Sequence, residues 1–225
     1  MKKVYITIIG LSCLAGNAFA ALTIVQPTSY TYVGNAPQAG SIDETIDGDG
    51  LSFALNTGDA VPGVLPTHES MYPSGGGTTG VRWFVESRNN PITDITFNLG
   101  AEYDLGSVIL WNYNETQDAF PDGQTQRGIS SVTASFSTDG LSFTGATTLN
   151  FAEAGGLPVA GQTVGMVASD VQYVKFTDFV THGDTVLTGF SEIRFAAAAI
   201  PEPATASMLL GLGASLMVFL RRRLH

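Results

Sequence analysis

Two short segments carry side chains suited to binding chemistry. The first is Ile46-Asp47-Gly48-Asp49-Gly50-Leu51-Ser52. Asp47 and Asp49 offer carboxylate oxygens on a loop whose glycines permit a tight path, and a hard cation such as Ca2+ gathers about six to eight oxygens in this manner. The segment lacks the Glu that closes an EF-hand loop. Asp-Gly-Asp-Gly is equally the composition of an ordinary solvated turn. The second segment is Asn112-Tyr113-Asn114-Glu115, taken together with Arg127. Neutral sugars are held by planar amides, carboxylates and guanidinium donors, with an aromatic ring beneath the apolar face of the sugar. Asn114, Glu115 and Arg127 supply that set, with an exposed Tyr or Trp as the ring.

Other chemistry finds little support. His68 and His182 stand alone in loop-like sequence, without the paired spacing of a zinc protease, and the chain has no Gly-x-Ser-x-Gly elbow. They read as hydrogen-bonding loop residues. Acids are too numerous for any one pair to single out glycosidase chemistry. Gly75-Gly76-Gly77 lacks the Lys of a phosphate loop and reads as linker. Cys13 is the only cysteine, so thiol catalysis, Cys-ligated zinc and iron–sulfur chemistry are excluded once it is removed with the N-terminal segment. The expectation is a protein that is not an enzyme. An exported hydrolase using His182 or a carboxylate pair is the least favoured alternative.

The elements that must position these residues are strands. In Asp94–Leu99, Ile95, Phe97 and Leu99 share one face while Thr96 and Asn98 take the other. Ser107–Tyr113 is apolar on both faces, as a central strand is. In Ser131–Ser137, Val132, Ala134 and Phe136 alternate, and Thr138-Asp139-Gly140 makes a turn. Thr147–Phe151, Gln162–Val167, Tyr173–Phe179 and Phe190–Phe195 are further strands. No amphipathic helix exceeds two turns or so. Residues 21–200 form one all-β domain, an antiparallel β-sandwich or jelly roll.

The two ends read as addresses. The chain has 225 residues and a net charge of −10, but the charge is unevenly placed. Residues 21–200 hold five basic residues against 19 acids, a net of −14, while the ends together are basic. That excludes nucleic-acid binding, which needs clustered Lys and Arg. Lys2 and Lys3, the apolar run Val4–Leu14 and the small-x-small site Ala18-Phe19-Ala20 lay out a secretory signal peptide over 1–20, cut after Ala20 and implying the Sec machinery. Cys13 raises a lipoprotein alternative, which Gly10 disfavours. The C-terminus reads Pro201-Glu202-Pro203, an uncharged apolar stretch Ala204–Leu220, then Arg221-Arg222-Arg223. The stretch is at the short end for a transmembrane helix, with the arginines left in the cytoplasm.

This C-terminal layout over 201–225 resembles the PEP-CTERM sorting signal of Gram-negative, often biofilm-forming bacteria. The resemblance implies recognition by an exosortase, cleavage near Pro-Glu-Pro, transient anchoring in the inner membrane, and release to the cell surface or an extracellular polysaccharide matrix. A simple tail anchor is the alternative.

The domain in turn resembles the discoidin-like, galactose-binding-like family. Its motifs stand in the family's order: ITFNLGAEYDL (94–105), VILWNYNE (108–115), Arg127-Gly128-Ile129, STDGLSF (137–143), YVKF (173–176) and GFSEIRF (189–195). It departs in having Phe53 where the family usually has Trp, and in a Gly- and Pro-rich insertion over about residues 56–80. The resemblance implies an eight-stranded jelly roll with ligand loops at one end. It also implies a structural Ca2+ held by residues that fall here on Asp47, Asp49, Ser52 and Glu192. In such folds Tyr, Glu and Arg near the second segment often pair internally to fix the loop. The functional expectation is an exported, non-catalytic surface or matrix protein that binds carbohydrate in an exopolysaccharide. The alternative is a structural or adhesive module that binds protein.

Overall fold

The computed structural model describes residues 21–34, 39–68, 84–87, 92–115 and 124–199. The expected signal peptide with Ala20, the Pro201-Glu202-Pro203 site, the apolar stretch and Arg221–Arg223 lie outside these residues, as does Gly75–Gly77. Among the described residues, no helix is long and apolar enough to cross a membrane.

The order of elements is β1 (Thr23–Val25), β2 (Ser29–Val33), β3 (Ala39–Gly40), a 3-10 turn Ile42–Thr45, β4 (Thr67–His68), β5 (Phe84–Ser87) and β6 (Asp94–Asn112). A second 3-10 turn, Thr125–Arg127, precedes β7 (Ile129–Ser137), β8 (Thr144–Asn150), β9 (Val159–Ala160), β10 (Gln162–Thr181) and β11 (Leu187–Ala199). Nine strands share one hydrogen-bonded network in the order β3-β5-β11-β6-β10-β7-β8, with β1 added to β11 and β2 to β6. Every strand pairing in it is antiparallel. β4 and β9 form a separate short pair.

The network folds into a sandwich because β6 and β10 run through both layers. Residues 94–98 of β6 lie between β2 and the second half of β10, which in turn pairs with β7. Residues 103–112 lie between the first half of β10 and β11. The sequence pattern divides each long strand in two, at 100–106 and at 168–172; the structure runs through both. The reason is local. Gly100 has φ +84, a value that a side chain resists, and its N–H is caught by Asn98 Oδ1 at 2.8 Å. β10 shifts register three times between Gly165 and Tyr173. Bulges bend a strand without ending it, so polar exposed residues there mark a corner, not a loop.

The alternation read from sequence sets the core. Ile95, Phe97, Leu99, Val108, Leu110, Val132, Ala134, Phe136, Val174, Phe176, Ile193 and Phe195 are buried together between the layers. Phe97 on one layer meets Phe190 and Phe195 on the other, with ring centroids 6.5 and 6.2 Å apart, and Phe176 edge-on at 5.5 Å. Each such side chain contributes about 1.5–3 kcal/mol by leaving water. The second apolar face of β6 is buried as well. Ile109 and Trp111 pack with Ile24 and Leu55, and with Leu51, Val61 and Leu65. The described part of the insertion, 56–68, is therefore a packed cover. Trp111 Nε1 donates to Pro66 O at 2.8 Å, and Ile24 exchanges backbone hydrogen bonds with Gly58 and Asp59. Phe53, at the family's usual Trp position, is 47% exposed.

Candidate functional site

The carboxylate loop comes to rest on the outer face of β11. A register shift between Phe190 and Glu192 places Phe190 and Ile193 inward and leaves Glu192 opposite Trp111 and Arg194 opposite Ile109. Both charged side chains thus lie under the 46–66 cover, 0% and 1% exposed. Arg194 Nη1 pairs with Glu192 Oε1 and donates to Ile193 O at 2.7 Å, while Nε donates to Leu55 O at 3.1 Å. Gly48 N donates to Glu192 Oε2 at 3.0 Å. Burial, aided by the negative charge of Asp47, holds the Glu192 carboxyl above its ordinary range, against the pull of Arg194 and Gly48.

Of the four residues expected to hold Ca2+, Asp47 acts electrostatically on Glu192 and shares a local turn with Asp49. Asp47 Oδ1 accepts from Asp49 N at 2.8 Å in a local turn, and Asp49 is exposed. Ser52 Oγ accepts from Thr67 N at 3.0 Å, fastening the cover to β4. Metal ligands must be deprotonated and must turn oxygens toward a common point. Here an N–H and a guanidinium face the Glu192 oxygens, so this donor set does not fit a hard cation. Among the described residues, no group of three or more His, Cys, Asp or Glu is arranged to hold a metal ion.

The second cluster lies at the sandwich end where β6 finishes and β7 and β11 begin. The Thr125–Arg127 turn points Arg127 back at the segment after β6. Arg127 Nη1 donates to Glu115 Oε2 at 2.9 Å and to Tyr113 Oη at 3.2 Å. Nε reaches Asp184 Oδ2 at 3.3 Å, on the turn between β10 and β11. Tyr113 Oη donates to the same Glu115 oxygen. Burial first, then the Glu115 carboxylate, drives the Tyr113 hydroxyl far above its usual range. Glu115 is buried; the side chains of Arg127 and Asp184 reach solvent at 19% and 21% exposure. Asn114 faces elsewhere. Its Nδ2 donates to Leu157 O at 2.6 Å and its Oδ1 accepts from Gly156 N at 2.7 Å. The structure thus unites Glu115 with Arg127 and separates Asn114 from both.

Two members of this region were not singled out from sequence. Asp184 carries no local signal beyond a loop acid. Asn112 is a buried junction: its Nδ2 donates to Ile129 O and Ala152 O at 2.8 and 2.9 Å, and its Oδ1 accepts from Ile129 N and Tyr113 N at 2.8 and 3.0 Å. A polar residue closing an otherwise apolar central strand was the available clue.

Together the strands and clusters define an all-β sandwich with a polar end. Residues 199–223 match the PEP-CTERM protein-sorting motif, so the chain carries the sorting signal that its Pro-Glu-Pro, apolar stretch and Arg cluster resemble. That motif marks an exported, membrane-associated protein. No curated protein matches the chain. Among solved structures, those similar to this chain include CBM32 domains. One is truncated AlyQ, with CBM32 and alginate lyase domains, at 16% identity and TM-score 0.46, covering 80% of this chain and 35% of that one. The chain thus spans about a third of that protein. The CBM32 of AlyQ alone, in complex with 4,5-unsaturated mannuronic acid, is 16% identical with TM-score 0.44, over 77% of this chain and 97% of that one. The family 32 CBM from C. perfringens NanJ, in complex with galactose, is 13% identical with TM-score 0.44, over 78% and 98%.

Proposed function

We propose that the chain is an exported, non-catalytic protein of the cell surface or extracellular matrix whose galactose-binding-like jelly roll binds carbohydrate within an exopolysaccharide. The observation that carries this reading is continuity. The sorting motif begins at residue 199, the last residue of β11, so the closing strand of the sandwich leads directly into the address. The sandwich is then the cargo that an exosortase would display. Arg127 and Asp184 are the polar groups of the end cluster that reach solvent, and they are the proposed sugar contacts, with Glu115 and Tyr113 holding Arg127 in place. The net charge of −14 over residues 21–200 disfavours an anionic polymer and favours a neutral sugar.

The inward engagement of Glu115 and Asn114 favours a second reading, a structural or adhesive module that binds protein. Retention of the exported protein on the host's own neutral and acidic polysaccharides separates the two. Binding to a neutral glycan, weakened by Arg127→Ala, supports the sugar reading; no retention on any polysaccharide favours the second. The C-terminal mass of the protein from culture fluid tests the address. A species ending near Pro201–Pro203 indicates processing, and an intact His225 indicates a tail anchor.

A further inference from the structure

We infer that the buried guanidinium of Arg194 does the work expected of a structural calcium ion, fastening the 46–55 loop to the last strand, so that the fold needs no divalent cation. The fastening reaches both ends of the loop. Near its start, Gly48 N is bound to Glu192 Oε2; near its end, Leu55 O is bound to Arg194 Nε. The two strand residues are joined to each other through Glu192 Oε1 and Arg194 Nη1. The guanidinium also lies against the loop backbone: a Cβ on Gly48 would stand 3.0 Å from Nη2. Gly48 further has φ +87, so the close approach and the backbone angle both call for glycine.

The charge at this place is already provided. Arg194 sits between the Glu192 carboxyl group and the carbonyls of Leu55 and Ile193, the surroundings that a cation would seek. A second cation there would meet the guanidinium at short range, in a setting that screens charge poorly. An arginine also differs from a bound metal in being covalently attached. A matrix polymer or a chelator that strips calcium leaves it in place.

The test uses the full chain in detergent, melted in excess EDTA and in millimolar Ca2+. The expected result is one melting temperature in both. A structural calcium present at a hundredfold its Kd would raise Tm by roughly 5–10 °C. A rise of that size, abolished in Glu192→Gln, would overturn the inference. Arg194→Met should lower Tm in both buffers, because it leaves Glu192 buried without its cation. Arg194→Met/Glu192→Leu should recover most of that loss, since the lone carboxylate is then gone. A double variant no more stable than Arg194→Met would also count against the pairing. Where Arg194→Met does not fold, the chelator comparison on the unaltered chain decides by itself.

Discussion

Replacing Asn112 by Leu tests whether the polar end of the sandwich is held by one buried amide. The side chains are close in volume, so the change removes hydrogen bonds more than packing. Ala152 O keeps a second donor, Gln162 Nε2 at 2.8 Å. Ile129 N, Ile129 O and Tyr113 N lose the amide, and both residues are 0% exposed. A buried polar group left without its partner costs about 1–3 kcal/mol, and three of them give roughly 3–5 kcal/mol once partial relaxation is allowed. For a domain of this size that is a fall in Tm of roughly 6–20 °C. Urea unfolding followed by tryptophan fluorescence reads the loss as a lower midpoint at unchanged slope. Asn112→Asp sharpens the argument. It turns an oxygen toward Ile129 O and Ala152 O where an N–H₂ had been. The buried carboxyl would have a raised pKa, so the variant should be more stable in acid and lose stability as the pH rises. A Leu variant within about 1 kcal/mol of the parent, or an Asp variant indifferent to pH, would refute the junction.

Arg127→Met should cost roughly 1–3 kcal/mol in the same assay, less than a fully buried pair because Arg127 is partly solvated; Arg127→Met/Glu115→Gln should recover part of it. Gly161→Ala places a Cβ 2.6 Å from Trp111 Cε2 and 2.9 Å from Ile109 Cγ2. It should destabilise by about 1–3 kcal/mol and shift the Trp111 emission spectrum. Asp139 accepts from Leu141 N and Ser142 N, and these bonds, with that from Ser137, hold its pKa below the ordinary 3.8. The folded form thus favours the ionised carboxylate, a stabilisation present above pH 3.8 and lost as the pH falls through the lower native value. Asp139→Ala should therefore melt below the parent at neutral pH, with the gap closing in acid.

Residues with period-2 alternation were legible from sequence. Val132, Ala134 and Phe136 lie where their spacing placed them, and the Asp139-Gly140 turn follows, with Gly140 at φ +73. Continuity of the long strands was not legible, because a bend exposes polar residues such as Glu102 and Asp104 that look like a loop. β1 and β2 were missed for another reason. β1 has three residues, and β2 exposes alternate Ser, Thr and Val on an outer strand. Glu192 and Arg194 alternate with core residues and so look solvent-facing. Only the cover makes them buried. Its signal was present in Leu51, Leu55, Val61 and Leu65, and in the apolar outer face of Ile109 and Trp111, which had to be covered by something. Asp184 meets Arg127 through a turn distant in sequence, which no local pattern encodes.

The direct passage of β11 into the sorting motif fixes a direction as well as an attachment. β11 starts beside the turn bearing Asp184 and ends at Ala199, a strand of 13 residues. At about 3.3 Å per residue it spans roughly 40 Å when extended. The end where the sorting motif begins, with Tyr103 and Asp104 paired to Ala199 and Ala198, therefore lies up to that distance from the Arg127–Asp184 end. The groups proposed to meet a sugar and the start of the sorting motif thus stand at opposite ends of one strand.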